Sequence, residues 1–242
     1  MADTAVRVVD AVKTYGDGDA TVTALRGISA EFASGRFSAI MGPSGSGKST
    51  LLHCLAGLDS LDSGSVYLGD TELGSLSDKD LTLVRREQIG FVFQAFNLVG
   101  TLTAKENILL PLSIAGEKPD EQWYNQVIEA VDLGDRLTHR PSELSGGQQQ
   151  RVASARALVT KPTIVFADEP SGNLDSKSGA ELLTFMRRAV DEFDQTIIMV
   201  THDPFAASHA DEIVFLDDGN IVDRLSNPTV DSVLDKMRTL GD

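Results

Sequence analysis

The chain has 242 residues, 41% of them apolar and 24% charged, enough to build one large domain around a sizeable core. Its 36 acidic residues outnumber 21 basic ones, a formal net charge of −15. That balance excludes a broad nucleic-acid or anionic-lipid surface, because both need clustered Lys and Arg. One cysteine, Cys54, excludes an internal disulfide, and its setting "STLLHCLAGL" predicts a buried structural thiol. The start "MADTAVRVVD" lacks the basic region and apolar core of a signal peptide, and no run reaches the ~18 apolar residues of a membrane span. The expectation is a cytosolic protein whose membrane work, if any, goes through a partner.

In chain order, "AVRVVDAV" and "ISAEFA" read as strands joined by the polar stretch "YGDGDATVTALRG". "RFSAIMG" is a short buried strand running into a Gly-rich loop, and "KSTLLHCLAGL" is the helix after it. "SGSVYLGDTEL" returns as strand and turn, "DKDLTLVRREQ" as a short helix, "IGFVFQ" as a strand. From about residue 95 to residue 156 the strand pattern stops. "TAKENILLPLSIAG" and "DEQWYNQVIEAVDLGDRL" have helical spacing, with Trp123, Val127, Ile128 and Val131 on one face, so a helical lobe interrupts an α/β core of about 1–94 and 157–242. "TIVFADEP" is a continuous apolar strand of the kind buried in a parallel sheet. A helix over "SGAELLTFMRRAVDEF", a strand "TIIMVTHD" and a hairpin over "EIVFLDDGNIV" follow. The tail "NPTVDSVLDKMRTL" puts Val230, Val233, Leu234 and Met237 on one helical face, predicted to pack on its own domain.

Gly42-Pro-Ser-Gly-Ser-Gly-Lys-Ser49 matches the phosphate-loop pattern in full, between a strand and a helix as the mechanism requires. Gly42, Gly45 and Gly47 let the backbone wrap phosphates, with the N–H groups of Ser44, Ser46 and Thr50 available beside them. Lys48 reaches the β- and γ-phosphates of ATP, and the Ser49 hydroxyl suits Mg²⁺. Asp168, at the end of "IVFAD", lies where ligands bind in α/β sheets and suits orientation of Mg²⁺. Glu169 is the candidate general base for an attacking water. Gln94 and His202 follow two further strands, so parallel strand ends would bring Lys48, Gln94, Asp168, Glu169 and His202 to one edge. There His202 can touch the γ-phosphate, and Gln94 can ligate the metal and hold the water. A histidine at a strand end equally serves as a hydrogen-bonded structural residue. Tyr15, after the first strand, can stack on an adenine ring or stand as a plain loop tyrosine.

"LSGGQQQRVASARAL", from Leu144 to Leu158, reads as the start of a helix. Ser145 caps it, and Gly146 and Gly147 leave bare backbone N–H groups. The helix end therefore favours an anion, the second such end in a chain that already has a phosphate loop.

Together these motifs resemble the nucleotide-binding subunit of ABC transporters over essentially the whole chain. "LSGGQQQR" is similar to that family's signature motif, "IVFADEP" to its Walker B, "SGNLD" to its D-loop and "THD" to its H-loop, with Tyr15 at the A-loop aromatic and Gln94 at the Q-loop. The resemblance implies an α/β P-loop NTPase core with a mostly parallel sheet, an N-terminal antiparallel β subdomain and an inserted α-helical lobe. It also implies an ATP- and Mg²⁺-dependent homodimer, in which Ser145, Gly146, Gly147 and Gln148 contact the partner's ATP and Asp175 lines the interface. "YGDGDATVTALRGIS", "RREQIGFVFQAFNLVGTLTAKENILLPL" and "ADEPSGNLDS" narrow the resemblance to the macrolide-export and lipoprotein-release type. That type works from the cytoplasmic face of the membrane on a permease with an extracytoplasmic domain. Gly100, where proline is common, departs from the pattern in the region that faces the permease; Arg36 and Ser171 depart from it outside the catalytic roles. The alternative, an ABC-type ATPase acting on DNA or the ribosome, lacks its usual coiled coil, zinc cysteines or second cassette here.

Overall fold

The computed structural model describes residues 3–16 and 20–240. Residues 17–19, near the start of the stretch read as a polar connection, lie outside the described residues. The flanks of that stretch are strand rather than loop. β1 (Thr4–Tyr15) and β2 (Val22–Ala33) pair antiparallel with Tyr15 opposite Val22, so Val22–Gly27 belongs to the sheet. The polar character of this segment concealed an alternation that puts Leu25 inside and leaves Val22 in solvent. β4 (Ser63–Leu68) pairs with the other edge of β1, and β5 (Thr71–Glu72) closes a sheet of order β2-β1-β4-β5.

A second sheet, of order β10-β9-β3-β8-β7-β6, forms the centre. β3 (Phe37–Met41), β6 (Ile89–Phe93), β7 (Ile164–Asp168), β8 (Thr196–Val200) and β9 (Glu212–Asp217) run parallel, with β10 (Asn220–Ser226) antiparallel at the edge. β3 and β8 are buried at every position because helices or the first sheet cover both faces. Strand alternation divides the core. Phe37, Ala39, Met41, Val165, Ala167, Ile197 and Met199 face one apolar cluster. Ile40, Ile164, Phe166, Ile198 and Val200 face the other, which they share with the antiparallel sheet and with α1 (Lys48–Leu55). Cys54 of α1 is buried in this second cluster, and burial pushes its thiol pKa up to about 12.

The α-helices between residues 78 and 193 begin where side chains satisfy their free N–H groups. Ser77 caps α2 (Asp78–Gln88), Thr103 with Glu106 forms a capping box on α3 (Ala104–Ala115), and Asp120 caps α4 (Glu121–Ala130). α5 (Gly146–Leu158) and α6 (Ser176–Phe193) start at Ser145 and Asp175. Ile108, Leu112, Val127, Ile128, Val131 and Val152 of α3–α5 and their ends bury in the same cluster as Phe37 and Met41. The helical segment therefore shares its apolar interior with one face of the central sheet. α7 (Pro204–Ala207) precedes β9, and α8 (Val230–Leu240) ends the fold. The apolar face expected on α8 is split: Val233 is buried and Met237 packs on the core, while Val230 and Leu234 stay exposed. The helix does pack on its own domain, with a narrower stripe than its sequence suggested.

Candidate functional site at the carboxyl edge of the sheet

The end of β3 turns into α1 through residues 42–47. Gly42 has φ of 150° and a Cβ there would lie 1.9 Å from the Leu216 carbonyl oxygen; Gly47 has φ of 96° and a Cβ would lie 2.3 Å from the Ala24 carbonyl oxygen. Only glycine fits these positions. Gly47 is the N-cap of α1 and has no side chain to cap it, so the helix opens towards the loop with its N–H groups unserved by a side chain. Ser44 and Gly45 form the exposed lip of the loop, and Thr50 is partly buried in the first turn of α1. Ser46 is buried and its Oγ has no hydrogen-bond partner, an orphaned hydroxyl inside a backbone cradle. Such a group costs free energy until something binds it. The Lys48 ammonium folds over the loop and donates to the Pro43 carbonyl (2.6 Å). Burial lowers its pKa, opposed by the nearby Glu169 and Asp168 charges, so it is a cation with incomplete local compensation.

The other strand ends meet this loop. The Ser49 hydroxyl donates to Asp168 Oδ1 at 2.9 Å, joining α1 to the end of β7. Glu169 has φ of 48°, and its N–H donates to the Val200 carbonyl (3.0 Å), which turns its side chain out of the strand. His202 stands two residues beyond the end of β8 rather than within the strand. Its Nδ1 lies 2.9 Å from Glu169 Oε1, so the candidate base and the candidate phosphate-contacting histidine form one pair. Gln94 directly follows β6, and its amide nitrogen donates to Asn173 Oδ1 (3.3 Å) while the Asn173 amide donates to the Gln94 carbonyl (3.0 Å). A cavity of about 520 Å³ opens beside this edge, lined by Glu169, Gly172, Asp175, His202 and Phe205 among others.

Tyr15 lies at the end of β1 with its ring half open to solvent. Its hydroxyl donates to Asp59 Oδ2 (2.6 Å), and the Thr50 hydroxyl reaches it from the first turn of α1. Burial first, then the Asp59 hydrogen bond, raises the phenol pKa. Lys13 pairs with Asp59 at 2.8 Å and lies 5.1 Å above the Tyr15 ring. The aromatic face is thus held beside the phosphate loop.

The second helix end is built differently. Ser145 caps α5: the Gln148 N–H donates to Ser145 Oγ (3.3 Å), and the Ser145 N–H donates to Gln148 Oε1 (2.9 Å). Gly146 is partly buried. Gly147 is buried rather than bare, and a Cβ there would lie 2.7 Å from Ser178 Oγ. Its lack of a side chain lets α5 approach α6, a packing role that the sequence did not reveal. Ser178 donates to Asp175 Oδ2 (2.7 Å), and Asp175 Oδ1 accepts from the Lys177 and Ser178 N–H groups at 3.1 and 3.0 Å. Those bonds, led by the Ser178 N–H, hold the Asp175 carboxyl below the usual range. No hydrogen bond among the described residues links the Ser145–Gln148 turn to the phosphate loop.

Four further residues join the site without having been singled out from the sequence. Asp59 and Asn173 hold Tyr15 and Gln94. Ser178 fills the space at Gly147. His53 brings Nε2 to 3.4 Å from Asp168 Oδ2. Two of them carried a local signal: Asn173 lies within "SGNLD", and His53 stands one helical turn after Ser49.

Comparison with known proteins follows the same lines. A sequence profile of the family described as "ABC transporter" matches residues 25–172. The bacitracin export ATP-binding protein of Halalkalibacterium halodurans is 43% identical over 215 residues, covering 88% of this chain and 85% of that protein. The lipoprotein-releasing system ATP-binding protein of Acinetobacter baylyi is 40% identical over 226 residues, covering 92% and 99%. In structure, an ATP-binding cassette of Methanocaldococcus jannaschii, solved as a dimer in a post-hydrolysis state with ADP and Pi, superposes with a TM-score of 0.83 at 39% identity, covering 93% of this chain and 99% of that one.

Proposed function

Because this chain belongs to the ABC transporter family, we propose that it drives a partner permease from the cytoplasmic face of the membrane, for export or for transmission of force. The protein is an ATP-binding subunit and an ATPase of that family. The observation that carries the ATPase part of this reading is the convergence of Lys48, Ser49, Gln94, Asp168, Glu169 and His202 on one edge of the parallel sheet. Tyr15 receives the adenine ring. Residues 42–47 wrap the phosphates with backbone N–H groups; the Ser46 hydroxyl finds there the partner it lacks, and the Lys48 ammonium exchanges the Pro43 carbonyl for phosphate oxygens. Glu169 takes the proton of the attacking water. His202 steadies that carboxylate and reaches for the terminal phosphate.

The residues present fit Mg²⁺: a hydroxyl and a carboxylate oxygen lie 2.9 Å apart at Ser49 and Asp168, with the Gln94 amide at the neighbouring strand end. Hard oxygen donors of this kind suit that ion. When bound, the ion supplies neutralisation of charge on the β- and γ-phosphates. Ser49, Asp168 and Gln94 would hold it.

The second helix end belongs to a partner's site in this reading. Two copies pair head to tail, and Ser145, Gly146, Gly147 and Gln148 of each close over the ATP on the other, with Asp175 at the junction. Dimeric cassettes among the structural relatives support this pairing. Residues 95–156 act as the helical lobe that carries the signature end against the core. No helix among the described residues is long and apolar enough to cross a membrane, so the permease supplies the spanning segments. Its extracytoplasmic domain is inferred from the resemblance to the macrolide-export and lipoprotein-release type. The charge of −15 argues against nucleic acid as a partner.

The test is capture of membrane partners on tagged Glu169→Gln chain from detergent-solubilised host membranes with Mg-ATP, read by mass spectrometry. A permease with a large extracytoplasmic domain is the expected product. Ribosomal or DNA-bound proteins in its place would overturn the assignment of partner.

A further inference from the structure

We propose that His53 is a positioning residue for the metal site, holding the Asp168 carboxylate in the orientation that Mg²⁺ requires. The inference rests on the reading of Asp168 as the metal-orienting carboxylate. Ser49 and His53 are one turn apart on α1, so their side chains project from the same face. Both reach Asp168, from opposite ends of its carboxylate. The Ser49 hydroxyl donates to Oδ1 at 2.9 Å, and His53 Nε2 lies 3.4 Å from Oδ2. The imidazole is held in turn. Its ring packs at 5.9 Å and 44° on Phe91, which stacks on Phe93 at 4.2 Å and 29°. Phe91 packs against the same apolar cluster that includes α1, so the imidazole has an anchored aromatic neighbour as well as Asp168.

The arrangement gives the two oxygens of Asp168 different partners. Ser49 is itself a candidate ligand, so its hydroxyl would be shared between Oδ1 and the ion. His53 has no such second duty. It would remain beside Oδ2 and restrict the torsion of the carboxylate, so that Asp168 would be pre-oriented for the ion. Partners that orient a ligating group in this way change metal affinity by about 10- to 100-fold when removed. A merely structural histidine, packed for the sake of α1, would alter stability and leave metal affinity alone.

The test measures metal binding and not turnover. In a Glu169→Gln background, where ATP persists, Mn²⁺ is titrated into the full chain with saturating ATP and followed by electron paramagnetic resonance. His53→Phe keeps an aromatic ring against Phe91 and removes the nitrogen; its half-saturating Mn²⁺ concentration is expected to rise about 10-fold or more. ATP binding measured in EDTA should not change. His53→Gln places an amide N–H at similar reach and should restore metal affinity to within about 3-fold of the parent. His53→Leu, read in the same way, gives the answer should the Phe variant not fold. Unchanged Mn²⁺ affinity without the nitrogen, or a Gln variant as weak as the Phe variant, overturns the proposal. Ser49→Ala in the same titration separates the two claims. If it weakens Mn²⁺ binding while His53→Phe does not, only the role of His53 fails. If neither has any effect, the metal site itself has been misassigned.

Discussion

α1 and α5 both start next to glycines, and both point an N-terminus at a phosphate in the reading above, yet they are finished to different degrees. At α1 the N-cap is Gly47, with no side-chain cap, an orphaned Ser46 hydroxyl beside it and a lysine whose burial is incompletely compensated. At α5 the N-cap is Ser145, and Ser145 and Gln148 satisfy each other in a closed capping box. The first end leaves backbone N–H groups and the Ser46 hydroxyl without side-chain partners, so a bound anion would stabilise it. The second is already stable without one, so the anion it receives must offer enough to displace or extend its own bonds. A site made of both ends, as proposed above, would load ATP on α1 alone and engage α5 afterwards.

The largest expected effect tests whether the α5 end waits for a second copy. Glu169→Gln should lower turnover by about 10²–10⁴-fold while ATP stays bound, and light scattering at saturating ATP should find a dimer. A monomer would break the comparison at its root. Next, Ser145→Arg should leave ATP binding intact and reduce hydrolysis by about 10²-fold, the scale of losing preorganised donors at a phosphate. Wild-type turnover in that variant would reduce the α5 end to a helix start and nothing more. On the α1 side, Lys48→Ala should weaken ATP binding by about 10- to 100-fold in calorimetry, equivalent to one charge-assisted hydrogen bond of about 1.5–3 kcal/mol. Unchanged affinity would show that the loop is not the phosphate cradle.

Smaller effects sharpen the contrast. Ser145→Ala should cost about 1 kcal/mol in denaturant unfolding without nucleotide, because its cap serves the folded chain whether or not ATP is present. The Asp175 cap adds a dependence on pH. Its folded pKa is depressed, chiefly by the Ser178 N–H, so its stabilisation is fully present above the unfolded carboxylate value and is lost as pH falls through the folded value. The difference in thermal midpoint between the parent and Asp175→Ala should therefore be present at pH 7 and shrink below about pH 4.

The strands of the central sheet were legible because burial on both faces turns them into continuous apolar runs, as in "IVFA" and "TIIMV". The cluster at the sheet edge was legible for a related reason: parallel strands gather whatever follows their carboxyl ends, so Gln94, Asp168, Glu169 and His202 could be placed together without knowing their contacts. The start of β2 was not legible. Its side chains alternate around polar residues, and only pairing with β1 makes Val22–Gly27 a strand. Gly147 was read as bare backbone because Ser178, which occupies the space beside it, arrives from a distant helix. His53, Asp59 and Asn173 escaped for the same reason. Each acts on a residue remote in sequence, and only the fold sets the distance. The Glu169–His202 pair shows the limit most clearly: each residue was assigned its own task, and the structure joins them at hydrogen-bonding distance.

Cys54 sits behind this machinery, buried in the cluster under α1 with its thiol pKa pushed up to about 12. At neutral pH it offers almost no thiolate, and thiolate is the form that reacts. For thiol chemistry the native chain is therefore close to a blank background. A cysteine placed at exposed Ser145 or Ser44 would be the dominant reactive thiol, ready for a spin label, a fluorophore or a crosslink between copies. The packing that silences Cys54 thus makes the proposed pairing of two copies directly testable with a single substitution.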